Sequence, residues 1–268
     1  RIFDSDQFVS RSRLDQEIRS SMIVVGAGVV GCAVTASLAD LGVEVALLES
    51  AAQEGTGLTS RNSGVVHSGL YYGTGSAKAR LCVEGQAALY QWCEANEVAF
   101  QRCGKLVVAE GPEENAALDW LEMNARENGA RDIQLVEREE ALTLEPELAN
   151  TNLERALWCP WTGIVDAHGL TASLRRRAMR TGAVVAFEAE VREAARKQGQ
   201  WTLESSRGEL RARAVVNATG LHADRLARLM GLQDYVHRYS RGDYVRWHGP
   251  RPFRRLVYPV RPKGSAGL

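Results

Sequence analysis

No apolar run in this 268-residue chain approaches the ~20 residues that a bilayer-spanning helix needs. The apolar stretch at Ile23 also lacks a basic lead and a cleavage site after it, so it reads as a buried strand and not a secretion signal. There is no excess of charge either. Lys plus Arg and Asp plus Glu both number 33, which leaves no global field to draw nucleic acid or an anionic membrane. The five cysteines, Cys32, Cys82, Cys93, Cys103 and Cys159, form no CxxC pair, which argues against a disulfide framework or zinc site and for buried free thiols. The histidines, His67, His168, His222, His237 and His248, show no metal-ligand spacing, and no metal is expected. Short-period repeats and low-complexity tracts are missing as well. These absences leave a cytoplasmic protein, at most peripheral to a membrane, with ample length for one large domain or two smaller ones.

What is present is concentrated between Met22 and Ser50, in MIVVGAGVVGCAVTASLADLGVEVALLES. A short apolar run, Ile23 to Val25, leads into Gly26-x-Gly28-x-x-Gly31; an alanine-rich helical pattern follows, then a second apolar run, Val43 to Leu48, ending on Glu49. This is a βαβ unit that binds a dinucleotide. Gly26 allows the tight turn, Gly28 lets the backbone approach a pyrophosphate, and Gly31 lets helix and strand pack closely. The helix N-terminus offers N–H groups and partial positive charge to the phosphates. Glu49 is placed to accept hydrogen bonds from an adenosine ribose and disfavours the 2′-phosphate of NADP, leaving NAD or FAD.

Beyond Glu49 the chain alternates. Gly55 to Gly75 is glycine- and serine-rich, too long for a hairpin, and reads as an ordered loop over the cofactor because it carries Val65, Val66, Leu70, Tyr71 and Tyr72. A helix is expected over 77–98, with Leu81, Ala88, Leu89 and Trp92 on its buried face, followed by a strand pair around Gly104. Helices are expected over 113–128 and 137–144, and a strand over 156–160. A turn over Thr162–Asp166 then caps a helix over 167–181. Strand patterns at 184–187, 191–195, 201–205 and 209–216 lead into Asn217-Ala218-Thr219-Gly220 and a helix over 221–230. That second strand–glycine–helix unit returns to the sheet of the first. Strands resume at RGDYVRW and LVYPV.

The strings GAGVVGCAVTASLA, SRNSGVVHSGLYY, KARLCVEGQ, CGKLVVA, PWTGIVD, NATGLHAD, RGDY and LVYPV give the chain its resemblance. In this order they resemble the FAD-dependent D-amino-acid-oxidase-like superfamily, and within it the L-2-hydroxyglutarate oxidases and dehydrogenases. The resemblance implies an α/β fold, a Rossmann-like FAD-binding domain with an inserted α+β substrate domain, and FAD as the cofactor. It implies a flavoenzyme that oxidises a small 2-hydroxy acid, L-2-hydroxyglutarate to 2-oxoglutarate, with oxygen or a quinone as electron acceptor. Amino-acid or amine oxidation on the same fold, an NAD-dependent dehydrogenase, and a non-catalytic dinucleotide-binding remnant are the alternatives.

The expected organisation is a leader or extension over 1–21, FAD-binding parts over 22–98 and 166–235, and substrate-domain parts over 99–165 and 236–268. Relatives run on past LVYPV, so a C-terminally truncated substrate sheet with a tendency to self-associate is expected. Carried onto this chain, Gly26, Gly28 and Gly31 cradle the pyrophosphate and Glu49 holds the ribose. Thr59, Ser60, Asn62 and Ser63 line the pyrophosphate and ribityl region, and His67 lies near the flavin ring. Val191 contacts the adenine, and Ala218 and Gly220 close over the cofactor.

The chemistry needs a base for the hydroxyl proton and cations for the carboxylates. His67 is the candidate base, since an imidazole titrates near working pH, against a histidine that only hydrogen-bonds the flavin or loop backbone, or one bonded covalently to the flavin. Arg241 and Lys105 are candidate carboxylate partners. The alternative for Arg241 is an ion pair with Asp243, and for Lys105 a solvated charge at a strand end. Tyr71, Tyr72 and Tyr258 line the substrate pocket or belong to the core. Arg175, Arg176 and Arg177 read as the solvated face of a helix.

Overall fold

A computed structural model of the chain describes residues 18–260. The expected leader over 1–21 lies outside the described residues up to position 17. Residues 18–21 correct that expectation, because they open the first strand, β1 (Ile18–Val25), with Ile18 paired opposite Leu210.

In chain order β1 is followed by α1 (Val29–Asp40), β2 (Val45–Leu48), β3 (Val65–Val66) and α2 (Ala77–Ala95). Next come β4 (Phe100–Gln101), β5 (Lys105–Ala109), α3 (Pro112–Glu127), β6 (Gln134–Glu137), α4 (Arg138–Leu144), β7 (Arg155–Cys159) and β8 (Gly163–Val165). The remainder is α5 (Ala167–Arg180), β9 (Val184–Ala186), β10 (Val191–Lys197), β11 (Gln200–Ser205), β12 (Gly208–Asn217), α6 (Ala223–Leu229) and β13 (Leu256–Pro259). Among the described residues no helix is long and apolar enough to cross a membrane.

Two compact units form. Of the described residues, the first contains 18–62 and Ala167–Tyr239, and the second contains Ser63–Asp166 and 240–260. The first crossover therefore falls at Asn62 and not after Val98. β3 and α2 are bound inside the second unit, where Val65 and Val66 pair with Ile164 and Gly163, and Gln86 and Tyr90 donate hydrogen bonds to the Trp161 carbonyl.

The first unit is an α/β layer on one six-stranded sheet, in the order β10-β11-β12-β1-β2-β9. β12, β1, β2 and β9 are parallel, whereas β10, β11 and β12 form an antiparallel ribbon. All four residues of β2 are buried, as a parallel strand covered on both faces requires. Ile23, Val25, Ala46, Leu48, Leu203 and Leu226 belong to the core of this unit. β12 lies beside β1, so the second strand–glycine–helix unit does rejoin the sheet of the first. α1 packs against α5, and Arg177 of α5 bonds Asp40 at the end of α1.

The second unit holds a four-stranded sheet, β13-β5-β7-β6, and a three-stranded one, β3-β8-β4. Alternation along β5 sends Val107 and Ala109 to one core with Leu118 and Leu121, and Leu106 to another with Ala141 and Leu148. Gly104 precedes β5 with φ +73°, and a Cβ there would lie 2.0 Å from the Trp158 ring, so only glycine fits.

Several local expectations fail here. β4 and β5 are not a strand pair: β4 joins β8, and β5 lies between β13 and β7. The run expected as a turn before α5 is strand β8. Leu81 and Ala88 of α2 are exposed, and the buried stripe is Ala79, Gln86, Tyr90 and Cys93. Gln86 earns that place by hydrogen bonding, since its Nε2 donates to the carbonyls of His67 and Trp161 and to Ser68 Oγ. RGDYVRW forms no strand; its Tyr244, Val245 and Trp247 are exposed, and it pairs with no described strand.

Candidate functional site

A cleft of about 560 Å³ opens in the first unit where β1, β2 and β12 end, the edge at which parallel sheets place ligands. Gly26, Gly28, Glu49, Thr59, Asn62, Val191, Ala218 and Gly220 all line it. These residues come from five separate stretches of chain, and the sheet topology brings them together.

The floor is the glycine turn. Gly26 has φ +103°, and a Cβ on it would sit 2.4 Å from the Ala218 carbonyl oxygen. The turn after β12 is thus packed directly on the turn after β1, and the Ala218 N–H donates to Val25 O at 2.9 Å. Gly31 does not line the cleft; a Cβ there would fall 1.8 Å from the Gly26 carbonyl oxygen, so this glycine sets the closeness of helix and turn. Thr59 Oγ1 accepts from the Val29 N–H at 3.0 Å and so caps the first turn of α1 from a residue 30 positions away. The same oxygen would lie 3.2 Å from a Cβ on Gly28, which leaves the Gly28 backbone open to a close ligand and little room for a side chain.

Glu49 is fixed before any ligand arrives. Its Oε2 accepts from the Ala27 N–H at 2.7 Å; its Oε1 accepts from the Ala51 N–H at 2.9 Å and from Ser50 Oγ at 3.1 Å. Ser60 does not line the cleft, because its hydroxyl donates to the carbonyls of Thr56 and Gly57, both at 2.9 Å, and closes its own turn. Asn62 Nδ2 likewise donates to Thr59 O at 2.6 Å, yet Asn62 still borders the cleft.

Arg225 and Glu190 were not singled out from the sequence. Both line the cleft, paired at 3.2 Å across α6 and the segment before β10. The only signal for Arg225 was its position shortly after NATGLHAD. Arg175 corrects another expectation: its side chain is 18 % exposed and pairs with Glu54 at 3.0 Å, so the arginine run on α5 is not wholly solvated.

Ser63, His67, Lys105 and Arg241 belong to the second unit. Ser63 is exposed. His67 is half-buried, its carbonyl accepts from Gln86 Nε2 at 3.1 Å, and burial first, then the charge of Lys105, push its pKa below the ordinary 6.5. Lys105 is not the solvated strand-end charge that was its alternative. It is fully buried, and desolvation lowers its pKa from the ordinary 10.5. Arg241 is 87 % exposed and pairs with Asp243 at 2.8 Å, the ion pair weighed against a carboxylate role. Lys105 Nζ lies over the rings of Tyr71 and Tyr258, and Lys78 Nζ over the ring of Tyr72. All five cysteines are free thiols, and no cluster that could hold a metal occurs among the described residues.

A family model described as FAD dependent oxidoreductase matches residues 21–267. The mitochondrial L-2-hydroxyglutarate dehydrogenase of Arabidopsis thaliana is 34% identical over 93% of this chain and 59% of its own length. That of Homo sapiens is 33% identical over 89% and 55%. The chain thus spans just over half the length of these relatives. Among solved structures, the L-alpha-glycerophosphate oxidase of Mycoplasma pneumoniae with FAD bound superposes with a TM-score of 0.79 at 22% identity, over 90% of this chain and 65% of that one. The glycine oxidase of Geobacillus kaustophilus gives a TM-score of 0.72 at 28% identity, over 80% and 59%. The first of these likenesses speaks for the fold alone.

Proposed function

The chain belongs to the family of FAD-dependent oxidoreductases, and from that premise we propose that it binds FAD in the first-unit cleft and serves the oxidation of a small 2-hydroxy acid, L-2-hydroxyglutarate to 2-oxoglutarate. The observation that carries this reading is the cleft itself. A tethered carboxylate and a bare glycine turn face one space, with the capped N-terminus of α1 beside them. Its volume lies in the usual range for cofactor sites.

Gly26 and Gly28 let the backbone meet a pyrophosphate, and the N-terminus of α1 with Arg225 supplies positive charge. Glu49 holds the ribose hydroxyls, its orientation already set by Ala27 and Ala51. Thr59 and Asn62 border the pyrophosphate region, Val191 the adenine, and Ala218 and Gly220 the closing turn. When bound, FAD supplies the two-electron acceptor for the hydride of the alcohol carbon. In the second unit His67 is the candidate base. A pKa held below the ordinary value keeps its imidazole neutral and able to accept the hydroxyl proton at Nδ1 or Nε2.

The named relatives support the substrate class, since several are L-2-hydroxyglutarate dehydrogenases. Oxidation of an amino acid is the second reading, favoured by the likeness to glycine oxidase. Anaerobic mixing of the flavin-loaded chain with L-2-hydroxyglutarate, and separately with glycine, separates the two. Bleaching of the flavin by the hydroxy acid alone is expected, and His67→Gln should slow it about 100-fold while flavin content holds. Bleaching by glycine alone would transfer the assignment to amine oxidation.

A further inference from the structure

Lys105 stands at the start of β5, opposite Cys159 of β7 on one side and Leu256 of β13 on the other. It is 0 % exposed, and its Nζ has no hydrogen-bond partner among the described residues. The rings of Tyr71 and Tyr258 lie 5.0 and 5.3 Å from that nitrogen. Tyr258 reaches it because it sits two residues beyond Leu256 on the neighbouring strand, on the same face of the sheet. Two aromatic faces attract an ammonium but offer no lone pairs to its three protons.

Packing gives no reason for a lysine here. Lys105 shares a strand face with Val107 and Ala109, and an unbranched apolar side chain would fill the same place. An amine shut away without a partner costs stability, so its partner is to be sought outside the fold. Of the two rings Tyr71 is the one nearer solvent: it is 38 % exposed, whereas Tyr258 lies in a strand. The chain around Tyr71 is fixed by side-chain amides. Asn124 Nδ2 donates to Leu70 O at 2.7 Å and to Tyr72 O at 3.0 Å, and Asn128 Nδ2 donates to Gly69 O and Tyr72 O at 3.0 and 2.8 Å.

We propose that Lys105 is a sheltered anion-binding amine, uncovered when the Tyr71 ring turns aside and then paired with a carboxylate of a small organic acid. The choice of a carboxylate rests on the function proposed above. Desolvation in the closed cage favours the neutral amine and pairing with the anion favours the charged one, so binding draws a proton from solvent and the product is an ammonium–carboxylate pair. The other groups that face it are His67, Cys82 and Cys159. Burial keeps His67 unprotonated in this range and raises both thiols, Cys159 to about 11, so Lys105 is the group whose charge changes. The rings and the amine together thus select an acid with an apolar carbon chain.

The test is calorimetric titration of the full chain with glutarate, a dicarboxylate with no hydroxyl to oxidise, in buffers of different ionisation enthalpy between about pH 7 and 10. Proton uptake should rise with pH toward one per glutarate bound. Lys105→Met should weaken binding by about tenfold or more and abolish the uptake. Lys105→Arg, permanently charged, should bind without uptake and serves if the methionine variant fails to fold. Tyr71→Ala opens the cage to water, so it should bind faster and with less uptake. No binding by the wild type, or unchanged affinity and uptake in either Lys105 variant, overturns the proposal. Flavin reduction plays no part in this readout. Lys105-dependent uptake in a chain whose flavin no 2-hydroxy acid bleaches refutes the function and leaves this site standing. Turnover with uptake independent of Lys105 does the reverse.

Discussion

The carboxylate of Glu49 accepts a hydrogen bond from the Ala27 N–H at 2.7 Å, tying the end of the second strand to the glycine turn that follows the first. The acid is therefore part of the turn as well as of the ligand site. Its other oxygen is held by Ala51 and Ser50, so a ribose meets a carboxylate that has no rotamer left to lose.

Glu49→Gln keeps the shape but turns one acceptor into a donor, which then faces the N–H of either Ala27 or Ala51. Losing a charged hydrogen bond of about 1.5–3 kcal/mol predicts FAD affinity lower by roughly ten- to a hundredfold. Fluorescence titration of the variant with FAD measures it; an unchanged affinity removes Glu49 from the site.

Gly31 and Gly85 both lie inside helices and should respond in opposite directions to alanine. At Gly31 the added Cβ falls 1.8 Å from the Gly26 carbonyl oxygen, whereas at Gly85 nothing lies within 4 Å. Gly31→Ala should force α1 off the turn and cost both stability and flavin. Gly85→Ala should raise stability by up to about 1 kcal/mol through helix propensity alone. Urea unfolding of the two variants gives the comparison.

Glu145 is fully buried and its Oε2 accepts from the backbone N–H groups of Arg254 and Arg255 at 2.6 and 2.8 Å, where the chain enters β13. Glu145→Ala leaves those donors unpaired and should cost about 2–4 kcal/mol. Hydrogen exchange should show the loss concentrated at Leu256–Pro259, and protection there equal to wild type would deny Glu145 this role.

How far the sequence revealed these relationships depends on how local they are. Gly26, Gly28, Gly31 and Glu49 lie within one βαβ unit, so spacing alone placed them, and Asn217–Gly220 repeats the same strand–glycine–helix pattern. The solvated-charge alternative for Lys105 failed because a lysine at the start of an apolar strand ordinarily reaches water, whereas this one is fully buried. Its burial depends on Tyr71 and Tyr258, brought in from distant parts of the chain. The face of α2 was misread for a related reason: Gln86 is buried by the carbonyls it bonds, which hydrophobicity does not register. Arg225 had no pattern of its own and is recognisable only through the cleft it lines.

Lys105 also sets a pH dependence. Its folded pKa is lowered from 10.5, so between the folded value and 10.5 the unfolded chain holds more protons and stability rises with pH. The penalty is complete below the folded value and gone above 10.5. Lys105→Met should be more stable than wild type at neutral pH by about 1–4 kcal/mol, the gap closing as pH rises. Urea unfolding of both chains from about pH 7 to about 10.5 reads this as a difference, against the opposite slope that the buried thiols, Cys159 raised to about 11 and Cys32 to about 12, add above their unfolded pKa. A gap that stays constant with pH refutes it.

The most direct measurement is FAD binding by the purified chain, followed by absorbance and by flavin released on denaturation, beside Gly28→Val. A valine here pushes its side chain toward Thr59 Oγ1, which lies 3.2 Å from the Cβ position, and into the space left for the pyrophosphate. The account predicts one FAD per wild-type chain and none in the variant, with the far-ultraviolet circular dichroism of the two unchanged. A wild-type chain that binds no FAD, or a Gly28→Val chain with full flavin content, would contradict it.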